Sequence, residues 1–511
     1  AAEKVWALFE EMRKETDKTA RAITGRSPVW VEPRPFRVGD RICRGGYYPI
    51  VYDRKLSIQA NLIAGVESAK DMMPLFGGGG VNDGHIKSRV KKFDRGVALT
   101  MRAAFEGLDQ QIHYVAWAQW VNDMRKILNP NGEIAKAISE RYGTSYYEAL
   151  RAWVEDCKLG NRGGAAATDD IANWLRRNVS LAGIGFNFVT ALVQVVGLTQ
   201  SIAYLGGRWA GKGVAEFLRM GPKKSFEWIA AKSPMMQDRM RTQFREVTEI
   251  QSQLNGTTGA LKDKFVRTAY LPLVWMQMLV DLPTWLGGYQ RAVAEGLSEA
   301  RAVAEADRAV MNAQGSGRTS DLSRYERGDA WSKLFTVFYT FFNTALNLAV
   351  VSGKTRSTFR AAIDVLMILC LQPVLETFLK AGARELFGAG DDDDDKWMQT
   401  TLKAAGLNVL SFNMGLLVGV RELSYLTGDF GYQGPAGLRK ITDTGRMFTS
   451  WGKAVEKGEI DDATLRATVS GFGVWLGLPV TPINRFISGA AAMSRGESDN
   501  PVELLIGHTA K

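Results

Sequence analysis

The sequence predicts a mainly α protein, with an elongated multi-helix architecture, several long apolar helices and a small irregular or β-hairpin region at the N-terminus. Proline is scarce, at 15 of 511 residues, and good helix formers dominate outside the N-terminal region. Apolar residues recur at spacings of three and four over long stretches, which is typical of helices. Four windows of 17 to 30 residues lack any charged residue, and they lie at 178–207, 334–353, 404–420 and 467–484.

The overall composition conceals these windows. The chain has 64 Lys+Arg and 54 Asp+Glu, a net charge of +10, with 23% charged and 46% hydrophobic residues. These values are ordinary for a soluble protein and exclude a disordered chain, a collagen or a disulfide scaffold. Outside the four windows the charged fraction rises to about 28%. The chain therefore combines a charged helical part with segments apolar enough to be buried or to meet a bilayer.

Residues 1–94 are predicted to be an irregular N-terminal region with short strands and a Gly-rich loop. Four prolines and the turn pair Gly39-Asp40 within residues 28–52 favour extended chain or one irregular hairpin. The glycines of 77–84 predict a flexible, exposed loop. The chain begins Ala1-Ala2 without Met or an apolar leader, so we expect a processed or partial piece rather than a secretory precursor.

Residues 95–168 are predicted to be a helical domain. A 3.6-residue period over 95–128 indicates one helix, which the sequence Asn-Pro-Asn-Gly at 129–132 should end. Residues 133–158 predict one or two shorter helices, followed by a loop.

Residues 169–330 are predicted to be a helical region that contains the long apolar segment 178–207 and several amphipathic helices. One amphipathic helix is expected over 236–254, and an apolar stretch over 262–290 should be broken by Pro272 and Pro283. An Ala-rich charged helix is expected over 291–312, stopped at Gly315.

The last two predicted regions are an apolar helical hairpin at 331–390 and a C-terminal helical region at 391–511. An acidic run, Asp391 to Asp395, separates them. Because five adjacent carboxylates repel one another, we expect a solvated loop there.

Two interpretations of the uncharged windows remain open. A bilayer core needs about 20 apolar residues in a helix, so 334–353 and 178–207 are long enough to span one. Asparagine and glutamine within the windows are tolerable between packed helices but costly against lipid, which favours burial inside a large soluble helical assembly. The pairs Gly415/Gly419 and Gly473/Gly477 are GxxxG spacings in apolar runs, which permit close helix packing.

Basic clusters indicate anionic partners. Lys87, Arg89, Lys91, Lys92 and Arg95 follow the Gly-rich loop and could bind nucleic-acid or lipid phosphates, or form a solvated basic face. A second cluster, Lys212, Arg219, Lys223 and Lys224, could lie at anionic lipid headgroups.

Catalytic signals are few. The three histidines and three cysteines are far apart in sequence and match no metal-binding spacing. Asp109 and His113 are four residues apart on a predicted helix, without a partnered nucleophile. We therefore predict no enzymatic activity, no cofactor and no metal.

Three stretches resemble the very large polyvalent proteins of tailed bacteriophages. These are residues 45–53 (GGYYPIVYD), 84–89 (GHIKSR) and 315–347, which includes KLFTVFYTFFN at 333–343. Their order is alike too, so the similar region runs from about residue 30 to 350, and the C-terminus departs from it.

The resemblance implies an internal virion protein that is packaged with the genome and ejected at infection. Such a protein would start in the virion interior and move to the host cell envelope, the periplasm or inner membrane, where it helps form a conduit for DNA. The implied partners are further copies of the chain, other ejection proteins or portal and tail proteins, phage DNA and host membrane lipid. Two alternatives remain: a soluble structural or adaptor module of the virion with every apolar helix buried, and an enzymatic module of a polyvalent chain.

Overall fold

The structure, a computed structural model, is mainly α-helical. It describes residues 2–30, 32–49, 102–159, 167–242, 260–316, 319–324, 326–327, 333, 336, 339–386, 394–416, 436–457, 460–501 and 503–507. Helices make up 81% of it, with one two-stranded antiparallel sheet in the described ranges, so the predicted fold class is confirmed. The chain divides into two compact units, 1–171 and 172–511. The predicted Gly-rich loop at 77–84 and the basic cluster Lys87 to Arg95 lie outside the described residues.

In its described residues, the first unit contains the predicted hairpin and four complete helices. Its elements are α1 (Ala2–Thr24), β1 (Phe36–Val38), β2 (Arg41–Cys43), α2 (Arg102–Ile127), α3 (Glu133–Tyr142) and α4 (Thr144–Leu159). The strands pair antiparallel, with Phe36 opposite Cys43 and Val38 opposite Arg41, so the turn falls at Gly39-Asp40 as predicted. The break between α2 and α3 also falls at the predicted Asn-Pro-Asn-Gly sequence.

The prediction of an irregular region is wrong for residues 2–24, which form a 23-residue helix. Phe9, Thr16 and Ala20 are buried on one face of α1, at spacings of seven and four that match the helical period. The many prolines begin only at residue 28, so they do not affect this segment.

The second unit is built almost entirely from helices. They are α5 (Ala167–Ile184, which begins in the first unit), α6 (Phe188–Val193), α7 (Leu198–Leu205), α8 (Gly207–Met220), α9 (Pro222–Lys232), α10 (Pro234–Thr242), α11 (Ala260–Ala294), α12 (Glu299–Gln314), α13 (Tyr339–Thr355), α14 (Thr358–Leu366), α15 (Gln372–Leu386), α16 (Asp394–Gly415), α17 (Ala436–Lys457), α18 (Asp462–Leu476), α19 (Val480–Ser494) and α20 (Glu503–Ile506). Short 3₁₀ segments occupy Gln194–Gly197 and Thr319–Asp321, and a π-turn occupies Met367–Leu371.

The long apolar segment 178–207 is not one helix, although its length would allow a single helix to span a bilayer. Phe186 has a positive φ of 52°, which ends α5, and the Asn187 side chain then accepts a hydrogen bond from the Thr190 N–H to begin α6. A 3₁₀ turn and the left-handed Gly206 divide the rest. Helix α7 of this segment is buried inside the second unit, which explains its lack of charged residues. Its polar residues Gln200 and Ser201 are buried too, and each forms a side-chain hydrogen bond.

The predicted break at Pro272 and Pro283 is also wrong, because α11 runs through both as a 35-residue helix. A proline inside a helix costs about 3 kcal/mol. Residues 280–288 are buried without interruption, so packing of this segment outweighs the cost of Pro283. The following helix, α12, begins at Glu299 rather than 291, and it ends before Gly315 as predicted.

Helix α8 packs on α11 through glycines at backbone-to-backbone distance. A Cβ added at Gly213 would lie 2.1 Å from the Pro283 carbonyl oxygen, and one at Gly287 would lie 2.6 Å from the Trp209 carbonyl oxygen. Such proximity requires glycine on both helices. The buried ion pair between Arg239 and Asp281, 2.7 Å from Nε to Oδ2, fixes α10 to the same helix.

Candidate functional site

The most exposed long apolar element in the described ranges is the segment Thr358–Gly382, called here the apolar segment. It is the one helix there that is long and apolar enough to cross a membrane, and 22% of its most apolar window is buried. It consists of α14, the π-turn and most of α15, which follow one another without a break as one continuous helix. The window 334–353 was expected to be long enough to span a bilayer; within it, α13 covers Tyr339–Thr355, and Ala345, Leu348 and Ala349 pack in the core of the unit.

The apolar segment has an inner and an outer face. Ala361, Asp364, Ile368 and Gln372 are buried at helical spacings on the inner face. Exposed large apolar side chains form the outer face, namely Phe359, Ile363, Leu366, Leu371 and Leu375. The one step of five residues, from Leu366 to Leu371, coincides with the π-turn. Because a π-turn holds about one residue more than an α-turn, the outer face stays continuous.

The π-turn and Pro373 disturb the backbone hydrogen bonds of the segment, and an asparagine from α16 compensates. Pro373 has no N–H and therefore cannot donate to the Leu369 carbonyl four residues earlier. The Asn413 side chain donates to that carbonyl oxygen at 2.9 Å and also to the Val409 carbonyl at 2.7 Å.

A second asparagine on α16 also donates to a backbone carbonyl of the segment. Asn408 donates to the Pro373 carbonyl at 2.8 Å and lies 3.0 Å from the Thr377 hydroxyl. On the other side, Gln372 accepts a hydrogen bond from the buried Gln200 at 3.1 Å. The amides that seemed costly next to lipid are thus used between helices, where hydrogen bonds satisfy them.

A charged cluster closes the N-terminal end of the apolar segment. Asp364 is fully buried and accepts a hydrogen bond from the Ser352 hydroxyl at 2.6 Å. Arg356 NH1 and Arg360 Nε lie 3.1 Å and 3.0 Å from its two carboxylate oxygens. Arg356 also donates to the Tyr204 carbonyl at 2.7 Å, at the C-terminus of α7. The buried charge is therefore paired, as a low-dielectric interior requires.

The helices beside the segment also expose apolar side chains. On α16 these are Met398, Leu402, Leu407 and Leu410, and on α13 they are Val350 and Val351. Exposed apolar surface of this extent is typical of membrane or protein interaction sites.

The glycines predicted to pack helices have varied surroundings. A Cβ at Gly415 would lie 2.8 Å from the Phe342 ring, and one at Gly473 would lie 2.4 Å from the Val480 side chain. Gly477 faces the Asn178 side chain of α5, and Gly419 lies outside the described residues. Sequence reasoning missed the closest helix approach, at Gly213 and Gly287, because these glycines are on different helices and form no local motif.

The other residues that sequence analysis selected are engaged locally. His113 Nε2 lies 3.1 Å and 3.0 Å from the Cys157 and Lys158 carbonyl oxygens, so it caps α4. In the described ranges, no group of three His, Cys, Asp or Glu is arranged to hold a metal. Of the second basic cluster, Arg219 pairs with Glu216, and the Lys212 ammonium lies 4.6 Å from the Trp209 ring centre.

No family model, curated protein or solved structure matches the chain.

Proposed function

We propose that the chain is a bacteriophage internal virion protein that is ejected with the genome and helps form an oligomeric conduit for DNA through the host envelope. In this proposal the apolar segment is where the protein meets the inner membrane. The exposed outer face of that segment supports the proposal, together with the sequence resemblance over residues 30–350.

The geometry of the segment suits a bilayer. At a rise of about 1.5 Å per residue, the 20 steps between Arg360 and Lys380 extend about 30 Å, the thickness of a hydrocarbon core. Charged residues lie near both ends, where long side chains can reach the interface. Transfer of five half-exposed side chains from water to lipid would contribute roughly 5 kcal/mol.

The soluble structural module remains the second candidate, because much of the other apolar sequence is packed inside the second unit. Segment 178–207 is broken into short buried helices, and α13 contributes to the core. In that case a neighbouring virion protein would cover the outer face. The third candidate, an enzymatic module, gains no catalytic constellation from the described residues.

An environment-sensitive fluorophore on the outer face distinguishes the first two candidates. The natural cysteines are changed to serine in the full chain, and a single cysteine at Leu366 carries the NBD fluorophore. The matched control places it at Leu218, an exposed leucine of α8. On vesicles with 30% phosphatidylglycerol, we expect a blue shift of the Leu366 probe and quenching by nitroxides deep in the acyl chains.

If the Leu366 probe shows no deep quenching at any pH or ionic strength, or if the Leu218 probe is quenched equally, the membrane proposal fails. A blue shift that depends on protein concentration but not on vesicles would instead support coverage by a second chain.

The ejection step is tested in the virion. Quantitative mass spectrometry should detect the chain in intact particles and show its loss from particles that have released their DNA. Retention after ejection would reject ejection and support the structural module.

A further inference from the structure

Helix α8 directs a row of cations away from the protein core. At about 100° per residue, Arg208, Lys212 and Arg219 lie within about 40° of one another around the helix, and all three are exposed. The buried residues of the helix lie on roughly the opposite side, namely Ala210, Gly213 and Phe217. The three cations therefore take no part in packing α8 on α11, and they are left to interact with something outside the unit.

The first turn of α9 adds two more cations. Ile229 of α9 and Phe217 of α8 are buried in one core cluster, so the exposed sides of both helices face away from the same core. Lys223 and Lys224 are exposed on α9, and they follow Arg219 in the chain after a short glycine turn. The surface called here the basic row consists of Arg208, Lys212, Arg219, Lys223 and Lys224.

Few acidic residues are present to neutralise the basic row. Helices α8 and α9 together contain six basic residues and two acidic ones, Glu216 and Glu227. Glu216 pairs with Arg219, and the sixth basic residue, Lys232, pairs with Glu299 outside the row. Among the residues that the structure describes, the other four cations of the row have no carboxylate partner. The row therefore keeps most of its positive charge for an anion.

Two cations of the row are held in place by a tryptophan. The Arg208 guanidinium carbon lies 5.1 Å from the centre of the Trp209 ring, and the Lys212 ammonium lies 4.6 Å from it. The ring itself packs against the core cluster around Leu205. Because these contacts already restrict both long side chains, an anion that binds them has less conformational entropy to remove.

The dimensions of the row match the phosphate backbone of duplex DNA. Arg208 and Arg219 are separated by about 16 Å along the axis of α8. Each strand of a duplex has about one phosphate per 3.4 Å of its axis, so this length lies beside about five phosphates of one strand. The exposed residues between these cations include Gly211 and Ala215, whose small side chains let a backbone approach closely.

Single-stranded nucleic acid and lipid fit this surface less well. Proteins that bind single strands stack the bases on aromatic side chains, but none of the four aromatic rings of α8 and α9 is exposed. A helix that lies in a bilayer interface has a large apolar face beside its cations. In α8 and α9, Leu218 is the one large apolar side chain that is exposed.

We propose that the basic row binds the phosphates of double-stranded DNA, independently of base sequence. Contacts to phosphates position a protein on the duplex without reading its bases. This inference rests on the proposed function, since that function supplies DNA as the partner. It assigns DNA contact to α8 and α9, on a surface separate from the apolar segment.

The test measures binding of the full chain to a fluorescent duplex by anisotropy, at several salt concentrations between about 50 and 200 mM. The variant R208Q/K212Q removes two charges from the row. We expect it to reduce the slope of log affinity against log salt by about two and to bind at least about tenfold more weakly near 0.1 M salt. Duplexes of unrelated sequence should show the same loss.

A matched control removes the same two charges elsewhere. K136Q/R141Q changes two exposed cations of α3, and Arg141 also lies over an aromatic ring, at 5.7 Å from the centre of Tyr142. It should bind the duplex like the wild type. The variant R208K/K212R keeps both charges and should also retain binding, because phosphates require the charge rather than a particular side chain. Circular dichroism verifies that each variant keeps its helix content.

The outcomes separate this inference from the proposed function. If R208Q/K212Q binds with the affinity and salt slope of the wild type, or if K136Q/R141Q loses as much affinity, the basic row is rejected, while deep quenching of the Leu366 probe would still support the membrane segment. If R208Q/K212Q weakens binding to phosphatidylglycerol vesicles and not to the duplex, the row binds headgroups and the inference is rejected. If the wild type binds no duplex even at the lowest salt concentration, the inference fails together with the DNA contact in the proposed function.

Discussion

Replacement of Asn413 by leucine should locally destabilise the apolar segment, because a carbonyl group would lose its substitute donor. Pro373 has no N–H to donate to the Leu369 carbonyl, and the Asn413 amide donates to that carbonyl at 2.9 Å. Leucine has a similar size but no donor. A carbonyl left unpaired in a partly buried site costs about 1 to 2 kcal/mol, which corresponds to a roughly 5- to 30-fold increase in local opening.

Hydrogen exchange with mass spectrometry measures that opening directly. Peptides covering residues 366–380 in N413L should lose protection by this factor relative to the wild type. The matched control is N347L, because Asn347 is exposed on α13 and its amide bonds only to the Asn343 side chain at 3.3 Å. It should change protection in the same peptides by less than about twofold.

A double-mutant cycle tests the assigned cause. P373A restores a backbone N–H near the Leu369 carbonyl, so N413L should cost distinctly less in that background. If N413L leaves the protection of 366–380 unchanged, the bond has no energetic role. If the loss is the same with and without Pro373, the explanation through the missing N–H is refuted.

Two further predictions concern other parts of the molecule. G213A should destabilise the second unit by about 1 to 3 kcal/mol, because its Cβ would lie 2.1 Å from the Pro283 carbonyl oxygen. The control G211A places a Cβ with nothing within 4 Å and should stabilise α8 by up to about 1 kcal/mol. Thermal unfolding compares the two variants, and equal melting temperatures would contradict the close packing. The pKa of Asp17 is lowered, first by the hydrogen bond from Ser27, so S27A should raise it in a carboxyl NMR titration. Because the pKa of Asp17 is depressed in the folded state, its stabilisation of the fold is present above the ordinary pKa of 3.8 and is lost as the pH falls through the lowered pKa. If the pKa of Asp17 is unchanged in S27A, the hydrogen bond from Ser27 is not the cause of the shift.

Local signals in the sequence predicted much of the fold. The hairpin at Gly39-Asp40, the end of α2 before Asn129 and the end of α12 before Gly315 depend on turn chemistry within a few residues. Helix α1 was also within reach of this reasoning, since Phe9, Thr16 and Ala20 follow the helical period. Prolines later in the same region led to the wrong prediction.

The site was less predictable, because its properties depend on contacts that are distant in sequence. Pro283 was expected to end a helix, but tertiary packing around residues 280–288 outweighs its cost. The amides of the uncharged windows were expected to be tolerable between packed helices and costly against lipid. Asn413 lies between packed helices, where it donates to a carbonyl 44 residues earlier. The same side-chain amide would destabilise the protein against lipid, and it stabilises the helix pair when a backbone carbonyl of the neighbouring helix accepts its hydrogen bond.

The sequence by itself determined that this is a helical protein with apolar segments separated from a basic, charged remainder, since composition and period are properties of the chain alone. Only the tertiary structure decided which segments are covered. It buried most of 178–207 and much of 339–353, and it left the outer face of 358–382 exposed. The physical reason is that hydrophobicity requires an apolar side chain to leave water, but it does not specify whether other helices, a second chain or a bilayer will cover it.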